Sequence, residues 1–339
     1  MSRINNTLKN VRIIFQKANE VEILPFIEGT TFLLLLVFLK EQIAEAWSAV
    51  VTGEATAQER FEVSPENLGQ ARSLIGQHFY PAEEAATNRD LVPTPPLRLD
   101  REGLGKALFA LHQLCQQDGI SAGSVFNEYL LAPPNLTTML PGKRYPTPRH
   151  IVRHMAQLVQ IQADNHVADL ACGSGSYLIA TLQPDKAVIL IGFEISGNWA
   201  RLAWTNAILH GLSPERFNIY PHSSLQGATP PDEEKLYQRL LMNPAFGNSE
   251  SSVLVKQALG NEATATASET VLTELAIKRL ADNGRGMVLV PTGVLFRNST
   301  AERTLRRRLV ETCTLHTVVS FPKDRSCRIL GEKGKYGIL

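Results

Sequence analysis

The sequence predicts an α/β protein in which an all-helical N-terminal domain, residues 1–138, precedes a doubly wound, mostly parallel sheet, residues 139–339. Apolar residues recur at helical spacing through the first part of the chain. From about residue 140, short apolar runs instead alternate with helical stretches, which is typical of strand–helix–strand units. A glycine-containing loop follows the first of these apolar runs, as expected of a strand, a tight loop and a helix.

The composition is that of a globular protein without a membrane span. Of the 339 residues 44% are hydrophobic and 20% charged, and the net charge of +1 gives no overall basic signature. A nucleic-acid partner would therefore need a local patch or a second subunit. The most apolar run, Thr31–Leu39, is far shorter than the roughly 20 residues of a spanning helix. Four scattered cysteines indicate neither disulfides nor a zinc site, so we expect a reducing, cytoplasmic location.

The N-terminal domain is predicted to consist of helices joined by one extended connector. Residues Thr31–Val50 read as an apolar helix with Glu28 and Gly29 before it, and Leu104–Gln117 reads as an amphipathic helix. The proline-rich segment Leu91–Leu97 cannot be helical. No sequence pattern in this domain predicts a catalytic or binding site.

The second domain is predicted to contain six strands. They are Val167–Ala171, Ala187–Ile195, Phe217–Tyr220, Leu240–Asn243, Gly286–Pro291 and Leu315–Phe321. The clearest helix is Ser268–Asp282, for which Thr266 and Glu269 could form a capping box. In such sheets ligands bind at the carboxyl ends of the strands, and the candidate motifs that follow a strand lie at such ends.

The first motif is the glycine loop that follows Asp169. Gly173 and Gly175 suit close approach of a ligand, but Leu178 stands where a nicotinamide-binding fingerprint needs a third small residue. A loop around the amino-acid end of S-adenosylmethionine is the alternative, and a purely structural loop remains a third. Glu194 closes the next strand about 20 residues later, where an acid accepts hydrogen bonds from ribose hydroxyls.

The second motif, Asn243–Gly247, follows an apolar strand. The Asn243 side-chain oxygen and the Pro244 carbonyl could accept both N–H bonds of an exocyclic base amine, whose lone pair is otherwise delocalised into the ring. Phe246 would offer a stacking face for a flipped base. The alternative is a plain strand exit in which Asn-Pro marks a turn.

The third motif, Pro141–Arg149, precedes a helix. Thr147 followed by Pro148 is a suitable helix entry, with proline in the first turn. Besides that structural role, the segment could fold over the methionine end of the cofactor.

In this order, the motifs resemble those of adenine-N6 DNA methyltransferases, and most closely the modification subunits of type I restriction–modification systems. The matching segments are Tyr145–Pro148 (with Pro146 inserted), Asp169–Gly175, Asn206–Gly211, Asn243–Phe246, Pro291–Phe296 and Val318–Pro322. As an ordered set they are specific, whereas any one of them alone is not.

The resemblance implies a Rossmann-like methyltransferase domain that transfers a methyl group from S-adenosylmethionine to a flipped adenine in DNA. The residues expected to hold the cofactor are Tyr145, Thr147, Pro148, Asp169, Ala171, Gly173, Gly175, Glu194 and Ser223. Those expected to hold the adenine are Asn243, Pro244 and Phe246. The implied partners are DNA, a specificity subunit and a restriction subunit.

Three departures from the family pattern favour an alternative, a catalytically impaired homologue. Ala245 replaces the second proline of the catalytic motif, and His222–Leu225 offers no carboxylate for the cofactor's adenine. The tail Lys323–Leu339 has no strand periodicity, which predicts a C-terminally shortened sheet with an unpaired edge. A further alternative keeps the chemistry but changes the acceptor to a protein glutamine or an RNA base.

Overall fold

The structure is a computed structural model, and it forms two compact units. Unit 1 comprises Met1–Pro146 and Gly197–Pro214, and unit 2 comprises Thr147–Ser196 and Glu215–Leu339. The sequence assigns residues 197–214 to the second domain, and its limits of 1–138 and 139–339 remain a prediction. The structure describes residues 2–20, 22–80, 91–116, 120–131, 146–226, 236–263, 265–320 and 336–338.

The helices and strands are numbered here in chain order. The helices are α1 Ser2–Lys17, α2 Ile23–Phe38, α3 Ala44–Val50, α4 Leu68–Phe79, α5 Arg101–Cys115, α6 Ala122–Ser124, α7 Arg149–Leu158, α8 Ser176–Ala180, α9 Gly197–Leu209, α10 Ser252–Leu259, α11 Ser268–Arg279, α12 Gly293–Phe296 and α13 Thr300–Glu311. The strands are β1 Val51–Ala55, β2 Phe61–Val63, β3 Asn165–Asp169, β4 Val188–Phe193, β5 Phe217–Tyr220, β6 Tyr237–Met242, β7 Leu280–Pro291, β8 Val319–Ser320 and β9 Tyr336–Ile338. Helical turns of other types cover Pro65–Asn67, Val125–Leu130, Pro214–Arg216 and Ser224–Gln226.

Unit 1 is mostly helical, but the prediction that it is all-helical is wrong. Strands β1 and β2 form an antiparallel hairpin. The predicted helix Thr31–Val50 is two helices, because the polar residues that follow Leu39 interrupt the apolar pattern. Glu28 and Gly29 lie inside α2, whose side chains are buried on almost every face, as in the central helix of a bundle. Within the described parts of the chain, no helix combines the length and apolar character that crossing a bilayer requires.

The amphipathic helix predicted at Leu104–Gln117 is confirmed as α5. Asp100 caps it by accepting a hydrogen bond from the Gly103 N–H at 2.7 Å. Its side chains Leu104, Leu108 and Leu111 are buried along one face.

An ion pair inside unit 1 joins α2 to α9. The Arg201 guanidinium donates to the Glu28 carboxylate, and both side chains are largely buried. Thr94, in the predicted connector, donates to the same carboxylate from its N–H at 3.2 Å and its hydroxyl at 2.9 Å. Three segments that are distant in the sequence therefore meet at the buried Glu28 carboxylate.

Unit 2 contains the predicted doubly wound sheet. Its strand order is β5-β4-β3-β6-β7-β9-β8, and the first five strands are parallel. The central strands are continuous apolar runs because both faces of a parallel sheet are covered. The prediction of a tail without a strand is wrong, since β9 pairs antiparallel with both β7 and β8. Three residues are too short a strand to show a period-2 pattern in the sequence.

Two predicted boundaries in unit 2 also differ from the structure. The helix predicted at Ser268–Asp282 ends at Arg279, because Leu280 pairs with Tyr237 and starts β7. The strand predicted at Leu315–Phe321 is described only as the two residues of β8. The other predicted strands overlap the observed ones, but β3, β6 and β7 begin two, three and six residues before their predicted starts.

The sheet brings the candidate motifs to one edge. β3 pairs with β4 on one side and with β6 on the other, all three parallel. Asp169 ends β3, while Glu194 and Asn243 come directly after β4 and β6. The carboxyl ends of adjacent parallel strands meet at the same edge of a sheet, which is where such folds bind ligands.

Candidate active site

The loop after β3 has the predicted strand–loop–helix form. Gly173 and Gly175 have φ values of +54° and +73°, a backbone region that favours glycine. The Gly175 N–H donates to the Cys172 carbonyl at 2.8 Å and closes the turn before α8. A Cβ at Gly173 would meet open space, so glycine is required there for its backbone conformation.

The Asp169 carboxyl group is fully buried at the start of this loop. Its Oδ1 accepts a hydrogen bond from the Ala171 N–H at 3.0 Å. Its Oδ2 is buried and has no hydrogen-bond partner among the described residues. Burial raises the pKa of Asp169 to about 8; Glu194 also raises it, and the Ala171 N–H opposes the rise. A ligand that brought hydrogen-bond donors or positive charge to Oδ2 would favour the ionised form.

The Glu194 side chain fastens the glycine loop to the end of β4. Its Oε2 accepts from the Gly173 N–H at 3.1 Å, and its Oε1 accepts from the Ser196 N–H at 2.7 Å. Its backbone N–H donates to the Tyr220 carbonyl at 3.0 Å, which ties it to β5. A carboxylate has about four lone-pair sites, so these contacts are compatible with the ribose contact, which remains a prediction.

Asn243 follows β6 and contacts Thr147 from the third motif. Its Nδ2 donates to the Thr147 Oγ1 at 2.7 Å. Its Oδ1 is buried without a hydrogen-bond partner in the described parts of the chain. A buried oxygen without a hydrogen bond lowers the stability of the folded protein by about 1–3 kcal/mol. The sequence predicts that this oxygen accepts a hydrogen bond from the exocyclic amine of a base.

The rest of the motif Asn243–Gly247 forms a turn that contacts Glu269. Pro244 is buried, Ala245 is exposed and Phe246 is partly exposed, so the stacking role of Phe246 remains a prediction. Gly247 has a φ of +70°, and its N–H donates to the Glu269 Oε2 at 3.3 Å. The buried Glu269 thus anchors the exit of the motif.

The predicted capping box at the start of α11 is therefore wrong. The residue before the helix is Ala267, not Thr266, and it makes no side-chain cap. Glu269 turns toward the catalytic motif instead. The hydroxyl of Ser268 donates to the Glu250 carboxylate at 2.6 Å, so the segment after the motif is fastened to α11 at a second point.

The structure describes two of the remaining predicted cofactor residues, Pro148 and Ser223. Pro148 stands directly before the first residue of α7. The Ser223 hydroxyl, in the turn after β5, accepts from the Leu225 N–H at 3.3 Å. Tyr145 lies outside the described residues. The cofactor contacts of all three, and of Ala171, remain predictions.

Sequence reasoning missed Tyr177 and Glu269. Tyr177 lies in the first turn of α8 and is buried, so a sequence pattern marks it only as core. Burial raises the pKa of its phenol, and the Thr147 hydroxyl beside it opposes the rise. Glu269 carries a helix-capping signature, which gave no sign of its contact with Gly247.

The described site has two parts at one sheet edge. Asp169, Gly173 and Glu194 form the first part, and Thr147 and Asn243 form the second. The parallel sheet and the helices between its strands define the class of this unit as a Rossmann-like α/β fold. One solved structure of this fold is the type I restriction-modification system methyltransferase subunit from Streptococcus thermophilus. It has a TM-score of 0.70 and 20% identity, with 99% of this chain and 83% of that chain covered.

The chain belongs to the N-6 DNA methylase family, whose model matches residues 123–325, more than half of its length. A curated relative, the type I restriction enzyme EcoEI methylase subunit from Escherichia coli, is 28% identical over 189 residues. A second, the type I restriction enzyme MjaVII methylase subunit from Methanocaldococcus jannaschii, is 39% identical over 85 residues. The alignments cover 52% and 24% of this chain, and only 38% and 15% of those relatives.

Proposed function

We propose that this chain is the adenine-N6 DNA methyltransferase subunit of a restriction–modification complex. The observation that carries the proposal is the Asn243 amide, whose nitrogen is held by Thr147 while its buried oxygen has no partner among the described residues. An oxygen held in this way is suited to accept a hydrogen bond from an amine. Membership of the N-6 DNA methylase family supports adenine in DNA as the source of that amine.

The residues of the first part of the site fit S-adenosylmethionine. The unpaired Asp169 Oδ2 suits a ligand that carries N–H donors and positive charge, as the amino-acid end of this cofactor does. Glu194 would accept hydrogen bonds from the ribose hydroxyls, and a Cβ at Gly173 would meet nothing within 4 Å, which leaves space for a ligand. When bound, the cofactor supplies an activated methyl group.

The chain's own contribution to transfer is to hold the acceptor amine. The Asn243 Oδ1 and the Pro244 carbonyl would each accept one of its N–H bonds, which favours a more tetrahedral nitrogen with an available lone pair. Phe246 would hold the flipped base by stacking. Direct transfer of this kind needs no covalent bond to the protein.

We propose that a specificity subunit selects the DNA and that a restriction subunit completes the complex. Two curated relatives are methylase subunits of type I restriction enzymes, which supports this assembly. We propose the cytoplasm as the location, since the proposed substrate is DNA.

The test is methyl transfer from labelled S-adenosylmethionine to DNA, with and without the cognate specificity subunit, followed by nucleoside analysis. We expect N6-methyladenine that depends on the specificity subunit. A folded complex that binds the cofactor and methylates no DNA would favour the catalytically impaired homologue. Label found in protein or RNA would favour the alternative acceptors.

A further inference from the structure

We propose that Thr147 is a positioning residue that fixes the orientation of the Asn243 amide, with Tyr177 setting the direction of the Thr147 hydroxyl. The inference rests on the proposed function, because it concerns the amide that would hold the acceptor amine. It departs from the sequence prediction, in which Thr147 holds the cofactor.

The orientation of the Asn243 amide decides what the site can bind. With Oδ1 toward the ligand, the site accepts hydrogen bonds from an amine; with Nδ2 there, it would repel the same amine. A side-chain amide has an acceptor end and a donor end of nearly the same shape. Packing alone therefore does not select between the two orientations, and a hydrogen-bond partner must.

Thr147 is placed to make that selection. Its Oγ1 accepts from the Asn243 Nδ2 at 2.7 Å, and its side chain is 7% exposed, so water competes little for the contact. A hydroxyl has one proton and two lone pairs, and it can donate as well as accept. It selects the observed orientation only if its proton is directed elsewhere.

The buried phenol oxygen of Tyr177 is the acceptor that we infer for that proton. The phenol is 4% exposed, and its oxygen has no hydrogen bond of ordinary geometry with any residue that the structure describes. Burial raises the pKa of the phenol, and the Thr147 hydroxyl opposes that rise, as a hydrogen-bond donor does. With its proton toward Tyr177, Thr147 presents a lone pair to Asn243.

The first test is spectroscopic and does not depend on activity. In protein labelled with 15N at asparagine, the side-chain amide signal of Asn243, assigned by its loss in Asn243→Asp, reports its hydrogen bond. We expect slow hydrogen exchange in the wild type and in Thr147→Ser, and faster exchange in Thr147→Val, which keeps the shape but removes the acceptor. Exchange unchanged in a folded Thr147→Val would overturn the proposal, whether or not the wild type methylates DNA.

The second test separates positioning from cofactor binding. In the assembled complex we expect Thr147→Val to lower kcat roughly 10- to 100-fold, as misplacement of a reacting group does, with the Kd for S-adenosylmethionine within about twofold of wild type. Thr147→Ser should restore kcat, and Tyr177→Phe should give a smaller loss. A raised Kd with unchanged kcat would overturn the proposal and support the cofactor contact.

Discussion

The Glu194 carboxylate accepts a hydrogen bond from the Gly173 N–H at 3.1 Å, so the acid after β4 holds the glycine loop that follows β3. The acid that the sequence assigns to the ribose is therefore also part of the support of the loop. Its loss should affect cofactor binding through both the loop and the proposed ribose contact.

Replacement of Glu194 by glutamine should weaken cofactor binding. A carboxamide has one acceptor oxygen, so its NH2 group would face the N–H of either Gly173 or Ser196. We expect the Kd for S-adenosylmethionine to rise about tenfold or more, in line with about 1–3 kcal/mol for a buried unpaired donor. Titration calorimetry measures it, with Asp185→Asn, an exposed acid before β4, as the control. Equal affinities for the two variants would contradict this role of Glu194.

The buried Asp169 should make stability depend on pH. Because its pKa is raised from 3.8 to about 8 on folding, the folded protein binds more protons than the unfolded chain between these values. The free energy of unfolding should therefore fall as the pH rises from about 4 to about 8 in the absence of ligand. Urea titrations at several pH values should show that the free energy of unfolding falls less with pH in Asp169→Asn than in the wild type. Parallel pH profiles would show that Asp169 is ionised in the folded protein.

The two glycines Gly192 and Gly69 should respond to alanine in opposite directions. A Cβ at Gly192, in β4, would lie 2.9 Å from both the Cys172 Sγ and the Ile219 Cδ1, so overpacking should destabilise the protein by about 1–3 kcal/mol. A Cβ at Gly69, in α4, would meet nothing within 4 Å, and alanine should stabilise the helix by up to about 1 kcal/mol. Thermal denaturation measures both. A Gly192→Ala protein as stable as the wild type would show that the sheet has room there.

Loss of the buried ion pair of unit 1 should lower the free energy of unfolding more than loss of an exposed ion pair. Glu28→Gln would leave Arg201 largely buried without its counter-charge, which costs about 3–5 kcal/mol. Glu102→Gln, which breaks the exposed pair with Lys106 on α5, should leave the free energy of unfolding almost unchanged, because solvent screens an exposed ion pair. Chemical denaturation compares the two variants. Similar losses would mean that the Glu28 site is well solvated.

The sequence predicts the part of the site that depends on local order. Asp169, Gly173 and Gly175 follow one strand directly, and Glu194 follows the next, so their common position is given by the parallel sheet alone. The roles of these residues toward a cofactor are inferred from the residue types and from the family resemblance.

The contacts between distant segments could not be predicted. Thr147 and Asn243 are 96 residues apart, and Glu269 reaches Gly247 across 22 residues. No periodicity links such pairs, and a glutamate at the start of a helix fits a capping box equally well. The hairpin of β1 and β2 and the three residues of β9 were missed because strands this short carry little pattern.

The most direct measurement is methyl transfer by the assembled complex with Asn243→Ala, beside Asn248→Ala as a matched control. Asn248 is exposed five residues further on, and its replacement should leave transfer unchanged. We expect Asn243→Ala to lower kcat at least about 100-fold, by analogy with the loss of one hydrogen-bonding group that stabilises a transition state. Its Kd for S-adenosylmethionine should stay within about twofold of wild type. Transfer by Asn243→Ala at the wild-type rate would contradict the assignment of this loop as the acceptor site.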